Sequence, residues 1–575
     1  MKKTLAILLS VCMIVAMLAG CGSSSSETTT TSGSGEATTT NGAADEAINN
    51  NDENKRSDEA VDNSVTIDSI TQLDSAPANL DPTAMNNQGM NFLWEVYEMP
   101  YQLSEFGGDL VPVLVDGDQG NYKPGMDHEE GSNEYILHLK KGIIDHNGVE
   151  LKGSDAAFSY ETLNASGNAR GWALYEKAEA AGDYDVKITF SRELNLVGEL
   201  TTFFARVFFF TEESYNNSAT GFVSDACGTG PYKLKEYVTG SKLVLEKNED
   251  YWCPEDEITC QLQTANSEII NYVFASETAS QVVALGTGEA DVDTNLSLAD
   301  AGDFQEGGQY ADKYDIYTYW DNLTYCILPN CHEDAITGDV NMRLAIMYAV
   351  SVEGVTAGLA ADVPGSYREC YGMGNPNFPD FSDSWASWDN YETASTEVRN
   401  EKVQEYLDAA GYNGETIEII TMSGDMETIA TIVNGMLDSY GIKSNITLVD
   451  RTTQSTIKAD PTAWDISIES WASSDYVVNM WDKLWKSTDD DGYIKESGQF
   501  IKDDEFLQMC LDSKTEEGHT QEAVDAIQQK IIDNAYAMGL TQKCSILIYP
   551  KYVKSIYMTD KNAVMVGACS YNEKE

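Results

Sequence analysis

A strand, a helix and a second strand follow one another between residues 416 and 449, and this order constrains the fold more than any other feature of the chain. Residues 416–421 are rich in isoleucine and threonine, as strands are. Apolar side chains then recur at helical spacing from Ile429 to Tyr440, and Gly441 supplies a stop signal. Residues 446–449 predict the second strand. Together they predict a right-handed crossover between neighbouring parallel strands, and therefore an α/β layer.

Other segments predict antiparallel pairing, so the expected fold class is mixed α/β. Residues 135–143 and 187–191 alternate apolar and polar side chains, which is the pattern of a half-buried antiparallel sheet. Residues 397–410 predict a helix that ends at Gly411. The chain has 575 residues, several times the ~100–200 residues of one domain, so we expect two or more lobes.

The first 21 residues predict export. Lys2 and Lys3 precede an apolar run over residues 5–17, which is shorter than the ~20 residues that a membrane-spanning helix needs. Cys21 directly follows Leu-Ala-Gly, and residues 18–21 resemble a bacterial lipobox. This resemblance implies that the signal peptide, residues 1–20, is removed and that Cys21 is lipidated. An ordinary cleaved signal that contains a cysteine is the alternative.

Residues 21–63 predict a tether. They are almost all Ser, Thr, Gly, Ala, Asn, Asp and Glu, and such a segment buries too little apolar surface to offset the entropy of ordering it. We expect a disordered linker between a membrane-held lipid and a folded body. An enzyme, a receptor or an adhesin could each use such a linker, so it predicts location only.

The net negative charge of the chain excludes some classes of binding partner. Lys and Arg number 36 against 94 Asp and Glu, a formal charge of −58. This charge argues against binding to nucleic acid and against electrostatic docking on anionic lipid. Two explanations stay open, namely an acidic, solubilising surface and an attraction for cationic ligands.

Cysteine usage predicts thiols more than disulfides. Of the 11 cysteines, Cys12 leaves with the signal and Cys21 is the predicted lipid site. Export permits disulfides, and the pairs Cys253/Cys260 and Cys326/Cys331 are close enough in sequence to form them. Nine cysteines remain in the rest of the chain. Because nine is an odd number and the chain is too long to be a small disulfide-stabilised protein, we expect mostly free thiols.

Catalytic and metal-binding motifs are missing from the sequence. It has no Gly-x-Ser-x-Gly elbow, no paired histidines on a helix and no phosphate-binding loop with lysine. The acidic run 489–492 does not fit a calcium loop, because Ser487 and Gly498 occupy its first and twelfth positions. Residues 331–334 are Cys-His-Glu-Asp, but adjacent side chains cannot all converge on one ion. We therefore expect no metal, no cofactor and no catalysis.

The most diagnostic run joins residues 228–234, Gly-Thr-Gly-Pro-Tyr-Lys-Leu, to residues 243–252, Leu-Val-Leu-Glu-Lys-Asn-Glu-Asp-Tyr-Trp. It resembles the signature of solute-binding family 5, the extracellular solute-binding proteins of peptide/nickel-type ABC importers. Physically it is a Gly-Pro turn that leads into a hairpin, and we expect Tyr232, Tyr251 and Trp252 beside the interlobe region. Further landmarks follow in the order of the family, at residues 79–82, 135–142, 146–148, 154–158, 284–291 and 339–349.

Two departures from the family pattern indicate a divergent branch. Lys140 stands where the family usually has arginine, and Ser351-Val352 replace a common Asp-Arg pair. Both look like scaffold positions, so the ligand class cannot simply be inherited from the family.

The resemblance implies a two-lobed clamp of the periplasmic-binding-protein type. Lobe I is expected to be discontinuous, built from residues 64–84, 218–325 and 544–575. An extra subdomain over residues 85–217 is expected to be inserted in it. Lobe II is expected over residues 326–543.

In peptide-binding members of the family, the resemblance implies that an aspartate of the second lobe pairs with the α-ammonium group of the ligand. Residues 470–476 match that stretch, and Asp475 is the predicted partner, because a buried ammonium needs a carboxylate. An aspartate that caps the following helix is the alternative.

Four aromatic residues, Trp471, Trp320, Tyr325 and Tyr371, are predicted to line the ligand-binding cleft, with plain core packing as the alternative for each. Arg368 is a candidate for binding a ligand carboxylate. Arg343 matches a family motif, and we expect it to form a structural ion pair that joins a helix to the hinge.

We therefore expect a lipid-anchored solute-binding protein on the outer face of the cytoplasmic membrane. It would capture peptides as a monomer and deliver them to an ABC permease and ATPase, with no nucleic acid involved. One alternative keeps the clamp and changes the cargo to an oligosaccharide or a nickel chelate. The other is a surface sensor or adhesin on the same scaffold, and an enzyme is a distant third.

Overall fold

The structure is a computed structural model that describes residues 64–84, 91–103, 109–168, 172–472, 476–481, 498–559 and 562–573. The predicted signal peptide, the tether with Cys21, Asp475 and the acidic run 489–492 lie outside the described residues. What the sequence predicts for them stays a prediction.

Strands and helices alternate through the described part of the chain. The strands, numbered in chain order, are β1 (Ile67–Asp74), β2 (Tyr101–Leu103), β3 (Leu110–Pro112), β4 (Met126–His128), β5 (Glu134–His138), β6 (Tyr175–Ala180), β7 (Asp185–Phe190), β8 (Tyr232–Val238), β9 (Lys242–Lys247), β10 (Ser267–Phe274), β11 (Val292–Asp293), β12 (Tyr314–Pro329), β13 (Tyr367–Glu369), β14 (Ile417–Thr421), β15 (Ser444–Leu448), β16 (Ile466–Ala472), β17 (Met538–Pro550), β18 (Val553–Ser555) and β19 (Ser570–Tyr571). The α-helices are Asn91–Val96, Gly153–Ala165, Glu199–Phe204, Glu212–Asn217, Thr278–Thr287, Val340–Ala349, Val352–Leu359, Thr396–Ala410, Asp425–Ser439, Arg451–Lys458, Val477–Met480, Asp504–Ser513 and Gln521–Asn534.

Among the described strands, 11 form one mixed sheet. Its order is β15-β14-β16-β12-β17-β11-β1-β10-β9-β8, and β13 also pairs with β17. The strands β1, β10 and β11 are parallel, and so are β14, β15 and β16, whereas β12 and β17 are antiparallel to each other. A separate antiparallel sheet has the order β4-β5-β7-β6. The mixed α/β prediction is therefore confirmed.

The predicted crossover, antiparallel strands and helix end are also confirmed. The helix Asp425–Ser439 joins β14 to β15, and the two strands pair in parallel. The strands β5 and β7 pair antiparallel, as their alternating side chains predict. The helix Thr396–Ala410 ends at Gly411, whose φ of 66° is the left-handed conformation that glycine adopts at low cost.

Separate hydrophobic cores divide the molecule into two lobes and an inserted subdomain. Lobe I has one core around Ile70 and Tyr232 and a smaller one around Leu285. The core of the subdomain draws its buried residues from between Tyr101 and Phe209. Lobe II has two further cores. Residues 92–99 contribute to the first core of lobe I, and the domain boundaries given above stay predictions.

The two long strands β12 and β17 run through both lobes. Tyr314 of β12 packs in a core of lobe I, and Ile327 of the same strand packs in lobe II. Their pairing is irregular between Trp320 and Thr324, where Lys543 is the single β17 residue opposite three residues of β12. A bulge of this kind bends a strand. We call residues 320–324 and 541–544 the hinge.

The diagnostic hairpin is held by a buried carboxylate, Glu98. The strands β8 and β9 form the predicted hairpin. Glu98 accepts hydrogen bonds from Thr229 Oγ1 at 2.8 Å, Tyr251 OH at 2.6 Å and Trp252 Nε1 at 2.8 Å. Tyr232 is buried in the core of lobe I, and Trp252 packs against the core of the subdomain. The hairpin aromatics therefore lie where lobe I meets the subdomain and not, as expected, beside the interlobe region.

Close approach of two backbones explains the glycines of this run. A Cβ on Gly228 would lie 2.1 Å from the carbonyl oxygen of Val96, and one on Gly230 would lie 2.5 Å from that of Glu95. The Gly230 N–H donates to the Val96 carbonyl at 3.0 Å. Only glycine leaves room for this contact with the end of the helix Asn91–Val96, so these family residues have a structural role.

No single helix among the described residues has the length and apolar composition needed to cross a membrane. The helices Val340–Ala349 and Val352–Leu359 pass that test only as a pair, and they meet at an angle of 48°. Both contribute buried residues to the same core of lobe II. Helices that form the core of a folded protein commonly meet this criterion as well.

Candidate functional site

Trp320 and Arg368 form the centre of a polar cluster at the hinge. The guanidinium carbon of Arg368 lies 4.6 Å from the ring centroid of Trp320, a cation–π contact. Arg368 Nε donates to Gln542 Oε1 at 2.7 Å, and its Nη2 donates to Asn377 Oδ1 at 3.0 Å. The register between β13 and β17 places Arg368 opposite Gln542. We call Trp320, Asp321, Arg368, Asn377 and Gln542 the hinge cluster.

The hinge cluster also satisfies the backbone where the strand register breaks. Asn377 Nδ2 donates to the carbonyl oxygen of Trp320 at 3.1 Å, and Gln542 Nε2 donates to that of Asp321. Buried carbonyl groups need such partners when a bulge removes the regular ladder bonds. Side-chain amides therefore hold the bent part of β12.

Two buried amide atoms beside the hinge cluster have no hydrogen-bond partner among the described residues. They are Asn322 Oδ1, an acceptor, and Asn375 Nδ2, a donor. Asn375 Oδ1 accepts from Gln542 Nε2 at 3.0 Å, so Asn375 contacts the cluster directly. Burial raises the pKa of Asp321, while the N–H of Asn322 and the charge of Lys543 counteract part of that rise. Unpartnered buried groups of this kind are costly unless water or a ligand satisfies them.

A second charged group ties the hinge to lobe II. Tyr325 OH donates to Asp425 Oδ2 at 2.8 Å, and Lys543 Nζ donates to the same oxygen at 3.1 Å. Burial alone would raise the pKa of Asp425, but the Tyr325 hydroxyl and the Lys543 charge lower it overall. Asp425 is also the first residue of the helix Asp425–Ser439, where the helix dipole favours negative charge. An ionised carboxylate therefore fixes the Tyr325 ring.

Trp471 and Tyr325 lie on opposite faces of the sheet. Trp471 pairs with Thr324 across β16 and β12, whereas Tyr325 pairs with Ser470, and neighbouring side chains of a strand point in opposite directions. Trp471 is 2% exposed and packs in the second core of lobe II. Its indole N–H donates to Glu469 Oε2 at 3.1 Å. These two predicted cleft residues therefore do not lie side by side.

Tyr371 belongs to lobe II and is separate from the hinge cluster. Its ring packs against the first core of lobe II, and its hydroxyl donates to Glu353 Oε1 at 2.8 Å. Of the described residues that the sequence predicts as ligand-binding, the structure brings Trp320 and Arg368 into direct contact. Ligand contact for each of them stays a prediction.

Asp475 itself lies outside the described residues, but the helix that follows it is firmly held. Asp380 Oδ1 accepts the N–H of Val477 at 2.7 Å, and its Oδ2 accepts that of Val478 at 3.2 Å. His519 Nε2 lies 3.1 Å from the same Oδ2, and its ring meets the ring of Tyr476 edge-on at 5.1 Å. Asp380 therefore caps the start of this helix; both explanations for Asp475 stay predictions.

Arg343 has a structural position, but its partners differ from the prediction. Its Nε donates to the Asn534 carbonyl at 3.0 Å, and its Nη1 donates to the carbonyls of Thr337 and Gly338, both at 2.9 Å. Among the described residues, the acceptors are thus backbone oxygens where the sequence predicted a carboxylate. Arg343 joins the start of its own helix to the end of the helix Gln521–Asn534.

Most of the polar residues at the hinge are not predictable from the sequence. Asp321, Asn377 and Gln542 carry no motif; they meet because β12 and β17 are adjacent in the sheet and because the loop after β13 brings Asn377 to them. The one available signal was the position of Asp321 directly after the predicted residue Trp320. The arrangement is suited to stacking, hydrogen bonding and ion pairing with a ligand.

The described residues give little support for a metal-binding site or for a reactive cysteine. These residues contain no group of three or more His, Cys, Asp or Glu side chains that could hold a metal ion. The nine cysteines between Cys227 and Cys569 are free thiols. Burial raises the pKa of several of them, including Cys227 and Cys569, each to about 12. Such thiols are poor nucleophiles at neutral pH.

A family model decides the classification. The model of the bacterial extracellular solute-binding proteins, family 5, matches residues 110–491, which is more than half of the chain. This chain belongs to that family. The family 5 membership confirms the resemblance noted from the sequence and places the protein among solute-binding proteins that act outside the cytoplasm.

The chain is also similar in sequence to known proteins and in fold to solved structures. The protein named "Probable D,D-dipeptide-binding periplasmic protein DdpA" of Escherichia coli strain K12 is 22% identical over 507 residues, 83% of this chain and 89% of that protein. The substrate-binding protein CtaP of Listeria monocytogenes is similar with a TM-score of 0.69 at 16% identity, over 88% of this chain and all of that one. The oligopeptide-binding protein AppA of Bacillus subtilis, solved with a nonapeptide, gives 0.62 at 15% identity, over 89% of this chain and 100% of that one. These structures confirm the two-lobed clamp.

Proposed function

We propose that this protein is the lipid-anchored, peptide-binding component of an ABC importer. Family 5 membership supports the solute-binding role, and relatives named as dipeptide- or oligopeptide-binding support the peptide cargo. The lipobox-like residues 18–21 support the anchor. The observation that carries the proposal is the polar hinge between two separate lobes, where a ligand would be enclosed.

The hinge offers what a peptide main chain requires. Asn322 Oδ1 and Asn375 Nδ2 supply an unpartnered acceptor and donor among the described residues, and a peptide carries both N–H and C=O groups. Trp320 supplies a ring that Arg368 holds in place. We propose that the lobes close over the ligand by bending β12 and β17 at the hinge, in the manner of other hinged clamps. Asp475 would then pair with the α-ammonium group.

The cargo can be tested with the full-length chain extracted in mild detergent. Mass spectrometry under native conditions, followed by denaturation, would identify what is released. Peptides that share a length range would support the proposal. A defined sugar or a nickel chelate would keep the importer and reject the peptide, and a protein that arrives empty and ignores a synthetic peptide pool would favour a sensor or adhesin.

We expect Asp475→Ala to weaken peptide retention by about tenfold, because the ligand ammonium would lose its charge partner. Retention of a synthetic tetrapeptide with a free N-terminus, measured by calorimetry, gives the change. Asp438→Ala is the matched control, since Asp438 is exposed on a helix of lobe II. An N-acetylated peptide should bind the wild type and Asp475→Ala equally; a preference of the wild type for it would contradict the assignment.

We expect Cys21→Ser to release the protein from the membrane, because the hydroxyl of serine cannot take the place of the thiol that is lipidated. Fractionation of cells into membrane and soluble material gives the result, and Cys253→Ser is the matched control because Cys253 is a buried thiol of the folded body. Membrane retention of the Cys21→Ser protein would show that something other than lipid on Cys21 holds it, and a wild type that is itself soluble would favour an ordinary cleaved signal.

A further inference from the structure

Hydrogen bonds within residues 192–199 stabilise a turn of the inserted subdomain. Glu199 Oε2 accepts the backbone N–H groups of Asn195 at 3.1 Å and Leu196 at 3.0 Å. Arg192 binds the same carboxylate: its Nη2 donates to Oε1 at 2.6 Å, and its Nη1 donates to Oε2 at 3.1 Å. A bidentate pair of this type fixes geometry as well as charge. Residues 195–198 are thereby presented as a short, rigid edge.

This edge pairs with lobe II through backbone hydrogen bonds. The Val197 N–H donates to the Lys514 carbonyl at 2.9 Å, and the Glu516 N–H donates to the Asn195 carbonyl at 3.2 Å. Leu196 and Thr515 stand opposite each other in an isolated antiparallel bridge. The contact joins residues more than 300 positions apart in the chain.

Side chains reinforce the bridge from both sides. Asn479 Nδ2 donates to the Val197 carbonyl at 3.0 Å, and the Val197 side chain packs against a core of lobe II. Gly198 has a φ of 81°, a conformation that favours glycine, and a Cβ there would also lie 2.7 Å from Asn479 Nδ2. Lys514 is 6% exposed, and its burial lowers its pKa to about 8. The two surfaces are therefore closely fitted.

We propose that this contact is an interlobe latch, made of residues 195–198 with Asn479 and residues 514–516, which forms when the clamp closes and sets the balance between its open and closed states. Its two sides belong to different cores, that of the subdomain and that of lobe II. The subdomain is inserted in lobe I, which continues into lobe II through β12 and β17. A rotation at the hinge would therefore separate the two sides and break all of these bonds together.

The latch acts on ligand binding through the conformational balance. When a ligand binds only the closed state, its affinity is reduced by the free energy needed to close the lobes. Any bond that exists only in the closed state lowers that free energy. A stronger latch slows ligand release, and a weaker one speeds it. The inference rests on the clamp of the proposed function but not on the identity of the cargo, and it is testable without a ligand.

A cysteine pair at the bridge tests whether the contact opens. Residues opposite each other in an antiparallel bridge have Cα atoms ~4.5–5.5 Å apart, within the range of a disulfide. We expect Leu196→Cys with Thr515→Cys to cross-link under mild oxidation and to give a smaller radius of gyration by X-ray scattering than the same protein reduced. An unchanged radius would show that the contact is permanent and would overturn the latch. The wild type, whose described cysteines are free thiols, gives the background.

Weakening the latch in this cysteine-pair protein should slow the cross-linking. We expect Val197→Asp to slow it by more than tenfold, since it places a charge against an apolar core, and Asn479→Ala by about fivefold, the effect of one hydrogen bond. Val283→Asp is the matched control, because Val283 is 58% exposed on a helix of lobe I. Asn479→Ala keeps the test valid if Val197→Asp fails to fold. Unchanged rates in both variants would overturn the proposal, whereas the peptide result above would be unaffected.

Discussion

Replacing Glu95 or Glu392 by glutamine is expected to make the protein more stable than the wild type at pH 8 and to leave its stability nearly unchanged at pH 5. Both carboxyl groups are buried, at 1% exposure each. Burial raises the pKa of each to about 8, although the N–H of Gly567 bonds Glu95 and that of Gly372 bonds Glu392. In lobe II, the charge of Arg399 offsets only part of this rise.

The direction follows from proton binding. The folded state holds a proton on each carboxyl up to about pH 8, whereas the unfolded chain releases it near pH 4.5. Stability from these groups is therefore full below pH 4.5 and is lost as the pH rises towards 8. At ~1.4 kcal/mol per unit of pKa difference, each carboxyl costs roughly 3 kcal/mol between pH 5 and pH 8. Glutamine stays neutral and can still accept the backbone N–H.

Thermal unfolding at pH 5, 6, 7 and 8 measures this effect, taken as the difference between each variant and the wild type. The subtraction matters because other groups titrate too; burial lowers the pKa of His146 to about 4, which acts in the opposite direction. Glu401→Gln is the matched control, since Glu401 is exposed on a helix. Parallel curves for wild type, Glu95→Gln and Glu392→Gln would show that neither carboxyl is protonated in the folded state.

Much of the fold is predictable from the sequence because its elements are decided locally. The crossover between β14 and β15 depends on a pattern within about 30 residues. A helix that ends at a glycine can likewise be predicted from its own residues, without knowing what it packs against. The clamp, in turn, follows from family landmarks spread along the whole chain. The arrangement of the site is different, because it depends on which strands become neighbours.

Trp471 and Tyr325 illustrate the limit. Both are aromatic residues on neighbouring strands, and the sequence predicts that both line the ligand-binding cleft. The register between β16 and β12 places Trp471 opposite Thr324, which sends the two rings to opposite faces. A shift of one residue would have reversed this result, and nothing in either strand alone determines the register. The contact between Arg368 and Gln542 likewise depends on the register between β13 and β17, which neither strand determines alone.

Glu95 and Glu98 belong to no predicted site, although the sequence around them carries a signal. Residues 92–99 read Phe-Leu-Trp-Glu-Val-Tyr-Glu-Met, so two acids stand within an apolar run. Acids in such a setting are either exposed on one helical face or buried with partners. The structure buries both, and Glu98 holds the very residues, Thr229, Tyr251 and Trp252, on which the family resemblance rests. The family signature can therefore be recognised in residues 228–252, but the carboxyl group that holds these residues in place belongs to Glu98, far earlier in the chain.

We expect Glu98→Ala to destabilise the protein by roughly 3–5 kcal/mol, because it removes the acceptor of three hydrogen bonds at once. Burial raises the pKa of Glu98, and the three donors counteract part of that rise. Without the carboxylate, the Thr229 hydroxyl, which is fully buried, keeps its desolvation cost and loses its partner. The loss should appear in urea unfolding followed by tryptophan fluorescence, since Trp252 is one of the donors.

Matched variants separate the carboxylate from the loss of packing. Glu98→Gln keeps the shape and one acceptor oxygen, so we expect a loss of roughly 1–2 kcal/mol. Tyr251→Phe removes one donor and should cost less than Glu98→Ala, and Glu249→Ala, at an exposed position of the same region, should be neutral. Equal losses in Glu98→Ala and Glu249→Ala would mean that the hairpin is held by its glycines and aromatic packing alone. The expected order, with alanine worst and glutamine intermediate, would show that the Glu98 carboxyl group stabilises the contact between lobe I and its subdomain.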